Sequence, residues 1–140
     1  MFLLDTNHYS EFVRKSAAGL RLRDRMDLSH VDDFFLAIIT PQEVLKGWLA
    51  EIQPHRQLDR GVRSYAQFQD SLADLQRWTC LPWSADSADI FDGLKSSKLN
   101  IGTLDMRIAS IALEYGATIL TRNLIDFVKV PGLHVENWLV

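Results

Sequence analysis

Met1-Phe2-Leu3-Leu4-Asp5-Thr6-Asn7 decides how the rest of the chain is read. Four apolar residues end in a carboxylate and then in two residues that favour a turn or a helix cap. The stretch predicts a short buried strand with Asp5 at its C-terminal tip and a helix starting near Thr6 or Asn7, carrying Tyr9, Phe12 and Val13 on one side. In open α/β sheets, ligands gather outside the carboxyl ends of the strands. One short segment thus proposes a fold and a site together.

Working outward, Phe34-Phe35-Leu36-Ala37-Ile38-Ile39 is a continuous apolar run rich in aromatic and β-branched residues. A strand buried on both faces, as in a parallel sheet, has this composition. Thr40-Pro41-Gln42-Glu43 follows as a helix start, with Thr40 as N-cap, Pro41 at the first helical position and Glu43 completing a capping box. Val44, Leu45, Trp48 and Leu49 form that helix's apolar face, and Pro54 closes the region. Between these two units, Leu20–Met26 reads as a charged segment running into polar Ser29–Asp33.

A second helix is expected from Asp59 to Trp78, with Tyr65, Phe68, Leu72 and Leu75 at helical spacing. Thr79–Trp83 is a short strand or extended connection, and Ser84 caps a helix facing inward through Ala88, Phe91 and Leu94. Thr103 caps the next helix, which Gly116 ends. Ala117–Thr121 is a further buried strand, and Leu133–Val140 adds a strand at the edge. Strands alternating with helices imply one three-layer α/β/α domain over residues 1–140 with a mostly parallel sheet.

Composition narrows the function. The net charge of −3 provides no general attraction to polyanions, so a nucleic-acid partner needs a local basic patch or a metal ion. A single cysteine, Cys80, excludes an intrachain disulfide and a thiolate cluster, and the four histidines lack ligand spacing. No apolar run approaches the roughly 20 residues needed to span a bilayer, so no membrane partner is expected. A soluble cytoplasmic protein is the expectation.

The acidic residues then divide. Asp86, Asp89 and Asp92 lie early in a helix, where the helix dipole accounts for the first two. Asp5, Glu43, Asp105, Asn123 and Asp126 fall instead at one edge of a parallel sheet. Each has an ordinary structural reading: Asp5 as a cap, Glu43 in a capping box, Asp105 complementing a helix dipole. Together they would repel one another unless they shared a cation. Oxygen ligands of this kind suit Mg²⁺, with Mn²⁺ as the alternative.

These residues also carry a resemblance. Leu3-Leu4-Asp5-Thr6-Asn7, Ile39–Gly47, Leu104-Asp105-Met106-Arg107-Ile108-Ala109 and Leu120–Phe127 resemble, in that order, the PIN-domain ribonucleases, and most closely the VapC-like toxins of type II toxin–antitoxin pairs. The resemblance implies a Mg²⁺-dependent endoribonuclease with Asp5, Glu43 and Asp105 as catalytic and metal-site residues. Products would carry 5′-phosphate and 3′-hydroxyl ends. Many members of the family carry aspartate where this chain has Asn123, which removes one negative charge; Asp126 stands three residues on as an alternative fourth position. Thr121 would support the site by hydrogen bonding, and Arg107 and Arg122 are candidate RNA contacts. The implied partners are an RNA substrate, a cognate antitoxin and a second copy in a homodimer; Trp48 and the Asp59–Trp78 helix are candidate docking surface, with core packing expected for most of their apolar residues. Two other readings compete. A non-catalytic α/β interaction module would use the carboxylates only as caps. A haloacid-dehalogenase-like phosphatase would need a second aspartate where Asn7 stands.

Overall fold

The computed structural model describes residues 1–52 and 59–140, so Pro54 lies outside the described residues. Five parallel strands form one sheet, β1 (Phe2–Leu4), β2 (Phe34–Ala37), β3 (Cys80–Leu81), β4 (Thr118–Leu120) and β5 (Val135–Glu136), in the order β3-β2-β1-β4-β5. The N-terminal strand is central: Leu4 pairs in register with Leu36 on one side and Leu120 on the other.

Successive side chains of a strand point to opposite faces, and β1 shows both cores. Leu3 packs with Ile119, Leu94, Ile108, Ile111 and Phe127; Leu4 packs with Leu36, Leu120, Tyr9, Leu22 and Leu75. The first face is covered by α5 (Ala85–Ser96), α6 (Thr103–Tyr115) and the short α7 (Leu124–Phe127). The second is covered by α1 (Thr6–Arg14), α2 (Ala17–Asp27), α3 (Ile39–Glu51) and α4 (Val62–Gln76). The expected three-layer arrangement holds, and every strand pairing is parallel.

Several local expectations are corrected. The Leu20–Met26 segment belongs to α2, capped by Ser16 at the Gly19 amide and tied to α1 by the Arg23 guanidinium, which donates to the Phe12 carbonyl. β2 ends at Ala37, and α3 begins at Ile39. Thr40 is therefore inside the helix and fully buried, Pro41 is its third residue, and the capping box around Glu43 does not form. Likewise Gly102, not Thr103, is the N-cap of α6. On α4 only Leu75 is buried; Val62 and Tyr65 are exposed by 66% and 58%, so the outer half of that apolar stripe faces solvent. The edge strand β5 is confined to Val135–Glu136. Ser84 does cap α5, reciprocally with Ser87, and Gly116 closes α6 at a positive φ of 64°.

Candidate active site

At the carboxyl edge of the sheet, β1 delivers Asp5 directly into the start of α1. Its main-chain amide donates to the Leu120 carbonyl, extending the pairing with β4 by one residue. Its side chain is the N-cap of α1, with Oδ1 accepting the His8 amide at 2.8 Å. The cap reading of Asp5 is thus correct. It uses one oxygen only, and Oδ2 accepts no hydrogen bond among the described residues.

Glu43 shows the same division. The Thr6 hydroxyl donates to its Oε1 at 2.8 Å, and Thr6 in turn lies 3.4 Å from the buried Thr40 hydroxyl. Thr6 is thus the group that orients Glu43, from α1, in place of a capping interaction within α3. Asp105, in the first turn of α6, receives a long contact of 3.4 Å from the Asn123 side-chain amide on its Oδ2. Each of the three carboxylates has one oxygen restrained by the protein and one without a hydrogen-bond partner among the described residues.

The three carboxylates act on one another electrostatically. The Asp105 carboxyl is pushed above the usual carboxylate range, first by burial and then by the negative charges of Glu43 and Asp5. Asn123 opposes that shift by donating, and Asp126 adds to it. The structure therefore brings together the acids expected to converge. Asp126 is turned differently: its carboxyl takes the Asn123 amide at 2.9 Å and the Lys129 ammonium at 3.0 Å, and both hold it below the ordinary range. Asn123 bridges Asp105 and Asp126, and Thr121, fully buried, accepts the Asn123 main-chain amide at 2.9 Å.

The donors fit a hard divalent cation. They are oxygens only and they repel one another, while Lys129 pairs with Asp126 and Arg122 with Glu11 at 3.7 Å. Among the described residues no group of three or more His, Cys, Asp or Glu side chains is arranged to hold a metal ion by itself. Mg²⁺ does not demand such a group, because it keeps several waters and binds through one or two carboxylates plus substrate oxygens.

One neighbour carried no signal in the sequence. His8 is fully buried behind Asp5. Its Nε2 accepts the Trp138 main-chain amide at 3.2 Å, so the proton of the neutral ring sits on Nδ1. That nitrogen is 3.3 Å from Asp5 Oδ1 but out of line for a hydrogen bond.

The candidate RNA contacts separate as well. Arg122 is paired with Glu11. Arg107 has no ion pair or hydrogen bond among the described residues; its guanidinium lies 5.7 Å from the Trp83 ring centre and 5.6 Å from that of Phe91. No helix among the described residues is long and apolar enough to cross a membrane.

Known proteins resemble this chain in sequence and in fold. The chain is 26% identical over 139 residues to the tRNA(fMet)-specific endonuclease VapC of Salmonella typhimurium, covering 98% of this chain and 97% of that protein. It is 37% identical over 62 residues to ribonuclease VapC1 of Rickettsia felis, a match spanning 41% of this chain and 46% of the relative. A solved toxin–antitoxin complex from Klebsiella pneumoniae contains a chain of the same fold, with a TM-score of 0.71, 20% identity, and coverage of 99% of this chain and 98% of that one. Residues 2–133 match the model of the PIN domain, and the chain belongs to the PIN-domain family.

Proposed function

We propose that this protein is a metal-dependent endoribonuclease, acting as the toxin of a type II toxin–antitoxin pair, with Asp5, Glu43 and Asp105 as the catalytic and metal-binding set. The observation that carries the reading is the half-restrained state of all three carboxylates at one sheet edge, where burial and then the charges of Glu43 and Asp5 raise the Asp105 carboxyl. The similarity to VapC ribonucleases supports it and indicates RNA as the substrate. The Klebsiella toxin–antitoxin complex supports an antitoxin as partner.

When bound, Mg²⁺ or Mn²⁺ would polarise a phosphoryl oxygen of the RNA and acidify a water for in-line attack. Asp5 Oδ2 and Asp105 Oδ1 are the free oxygens for the ion. Their partner oxygens are held by the His8 amide and the Asn123 side chain, so neither carboxylate can swing away freely. Glu43 presents Oε2 while Thr6 holds Oε1, which suits it to orient the attacking water or to add a ligand. Asn123 takes the place of a fourth acid: it donates to Asp105 rather than repelling it. That neutral substitution favours a single tightly held ion. A haloacid-dehalogenase-like phosphatase has no support in this family or at Asn7.

The test uses purified protein with single-stranded and structured RNAs, Mg²⁺, Mn²⁺ or chelator, beside Asp5→Asn and Asp105→Asn. Metal-dependent cleavage lost in both variants is expected. Cleavage that survives chelation or both substitutions refutes the mechanism, and a protein whose melting temperature ignores both metals reverts to a non-catalytic module.

A further inference from the structure

Beside the carboxylates, at the same edge of the sheet, lies a cavity of about 240 Å³ lined by Ile38, Ile39, Gln42, Trp83 and Arg107. Its walls come from the β2–α3 junction, the segment leaving β3 and the first turn of α6. Two wall residues are chain neighbours of the proposed catalytic acids: Gln42 precedes Glu43, and Arg107 is two positions after Asp105. Residues one or two apart on a helix point to different sides of it, so the cavity shares the sheet edge with the carboxylates but opens from another side of each helix.

Arg107 is the anomaly here. Its Nε is buried without an acceptor, and the guanidinium makes no hydrogen bond or ion pair among the described residues. Contact with the Trp83 and Phe91 rings satisfies its charge in part but none of its donors. A buried donor left without an acceptor costs desolvation energy. The terminal guanidinium nitrogens, which have no protein acceptor among the described residues either, are the donors that a ligand's acceptor edge could take. Trp83 supplies the complementary surface: its ring is held edge-on by Phe91 at 5.6 Å, and the residue is still 36% exposed.

We infer that the Trp83–Arg107 cavity is a nucleobase subsite, taking one unstacked base of single-stranded RNA beside the phosphate that the carboxylates engage. Indole faces stack on bases of any identity, and arginine reads their acceptor edges. The volume decides the size of the occupant, because it lies below the range of drug-sized pockets and suits a single base rather than a peptide segment. No carboxylate lines the cavity to repel the strand. The subsite deepens the ribonuclease reading and rests on it for the choice of RNA as ligand.

The experiment measures binding of a fluorescein-labelled heptaribonucleotide of mixed sequence by anisotropy in chelator, so that no cleavage occurs. An abasic strand of equal length and charge is the second probe. Wild-type protein should prefer the base-bearing strand by about fivefold or more, the lower bound for one stacked base. Trp83→Leu and Arg107→Met should lose that preference, and Trp83→Phe should keep most of it. Circular dichroism and gel filtration with light scattering accompany each variant. Equal affinities of wild type, Trp83→Leu and Arg107→Met overturn the subsite, as does a wild type that binds no RNA. A loss of binding that tracks a change in oligomeric state overturns it too, because the face would then be a contact between copies. Cleavage of the same heptamer with Mg²⁺ or Mn²⁺ is scored separately. Absence of cleavage with Trp83-dependent binding retained refutes the nuclease and leaves the subsite standing; cleavage indifferent to Trp83 and Arg107 does the reverse.

Discussion

Gly19→Ala sets two effects of opposite sign against each other. Gly19 lies in α2, where alanine is favoured over glycine by about 1 kcal/mol. Propensity alone therefore expects a more stable protein. Packing expects the opposite. A Cβ at Gly19 would overlap the Glu11 carbonyl oxygen, lie 2.8 Å from its carbonyl carbon and stand 3.3 Å from the Ser16 hydroxyl. The first two obstacles are main-chain atoms of α1, so no rotamer change makes room, and α2 has to move away from α1. That motion stretches the bonds from Arg23 to the Phe12 carbonyl, now 2.7 and 3.1 Å. Overpacking costs about 1–3 kcal/mol, and overlap with main chain belongs at the upper end. After subtracting the propensity gain, about 2 kcal/mol of destabilisation remains, a fall in Tm of roughly 5–10 °C for a domain of this size. Thermal unfolding followed by circular dichroism on both proteins measures it. A variant that melts at or above the wild-type temperature would show that the two helices are not packed at this distance.

Asp105→Asn tests the strain at the site without any substrate. An acid held above its unfolded value stabilises the fold at low pH and loses that contribution as pH rises from roughly 4 through the raised folded value. In chelator at pH 7 the variant should therefore melt higher than wild type, and Mg²⁺ should raise the wild-type Tm more than the variant's. Equal melting in chelator would show that neither burial nor the neighbouring carboxylates penalise the Asp105 charge. Thr121→Val removes the acceptor of the Asn123 amide at 2.9 Å, and metal-dependent cleavage should fall while the fold persists; unchanged activity would sever Thr121 from the site. Phe127→Ala empties a fully buried site in the core and should cost about 3–5 kcal/mol in urea unfolding, with under 1 kcal/mol refuting the packing described.

How far the chain could be read follows from where each determinant lies. β1, Ser84 and Gly116 are local: an apolar run, a reciprocal cap and a left-handed closure each sit within a few residues. Asp5 and Asp105 were legible because strand ends and helix starts share one edge in a parallel sheet. α2 was not, since four charged residues from Arg21 to Arg25 mask a helix held by one buried leucine, one glycine and a guanidinium reaching to another helix. The local reason given for Glu43 was incorrect: Thr6, 37 positions away, holds its carboxylate rather than Thr40. His8 was missed because its partner is the amide of Trp138, 130 positions distant. Nothing near a lone histidine encodes a contact of that span.

The placement of the first strand at the centre of the sheet bears on how the protein is made. β1 is made before both of its neighbours, one of which begins at residue 34 and the other at residue 118. Until the latter arrives, the strand that ends in Asp5 has a bare edge, and Asp5 lacks the carbonyl of Leu120 that anchors its amide. Closing a loop of that length is slow relative to local helix formation. Asp105 and Asn123 also follow long after Asp5. A nascent chain therefore carries Asp5 without Asp105 and Asn123 until those residues are made, and the proposed metal site could assemble only after that.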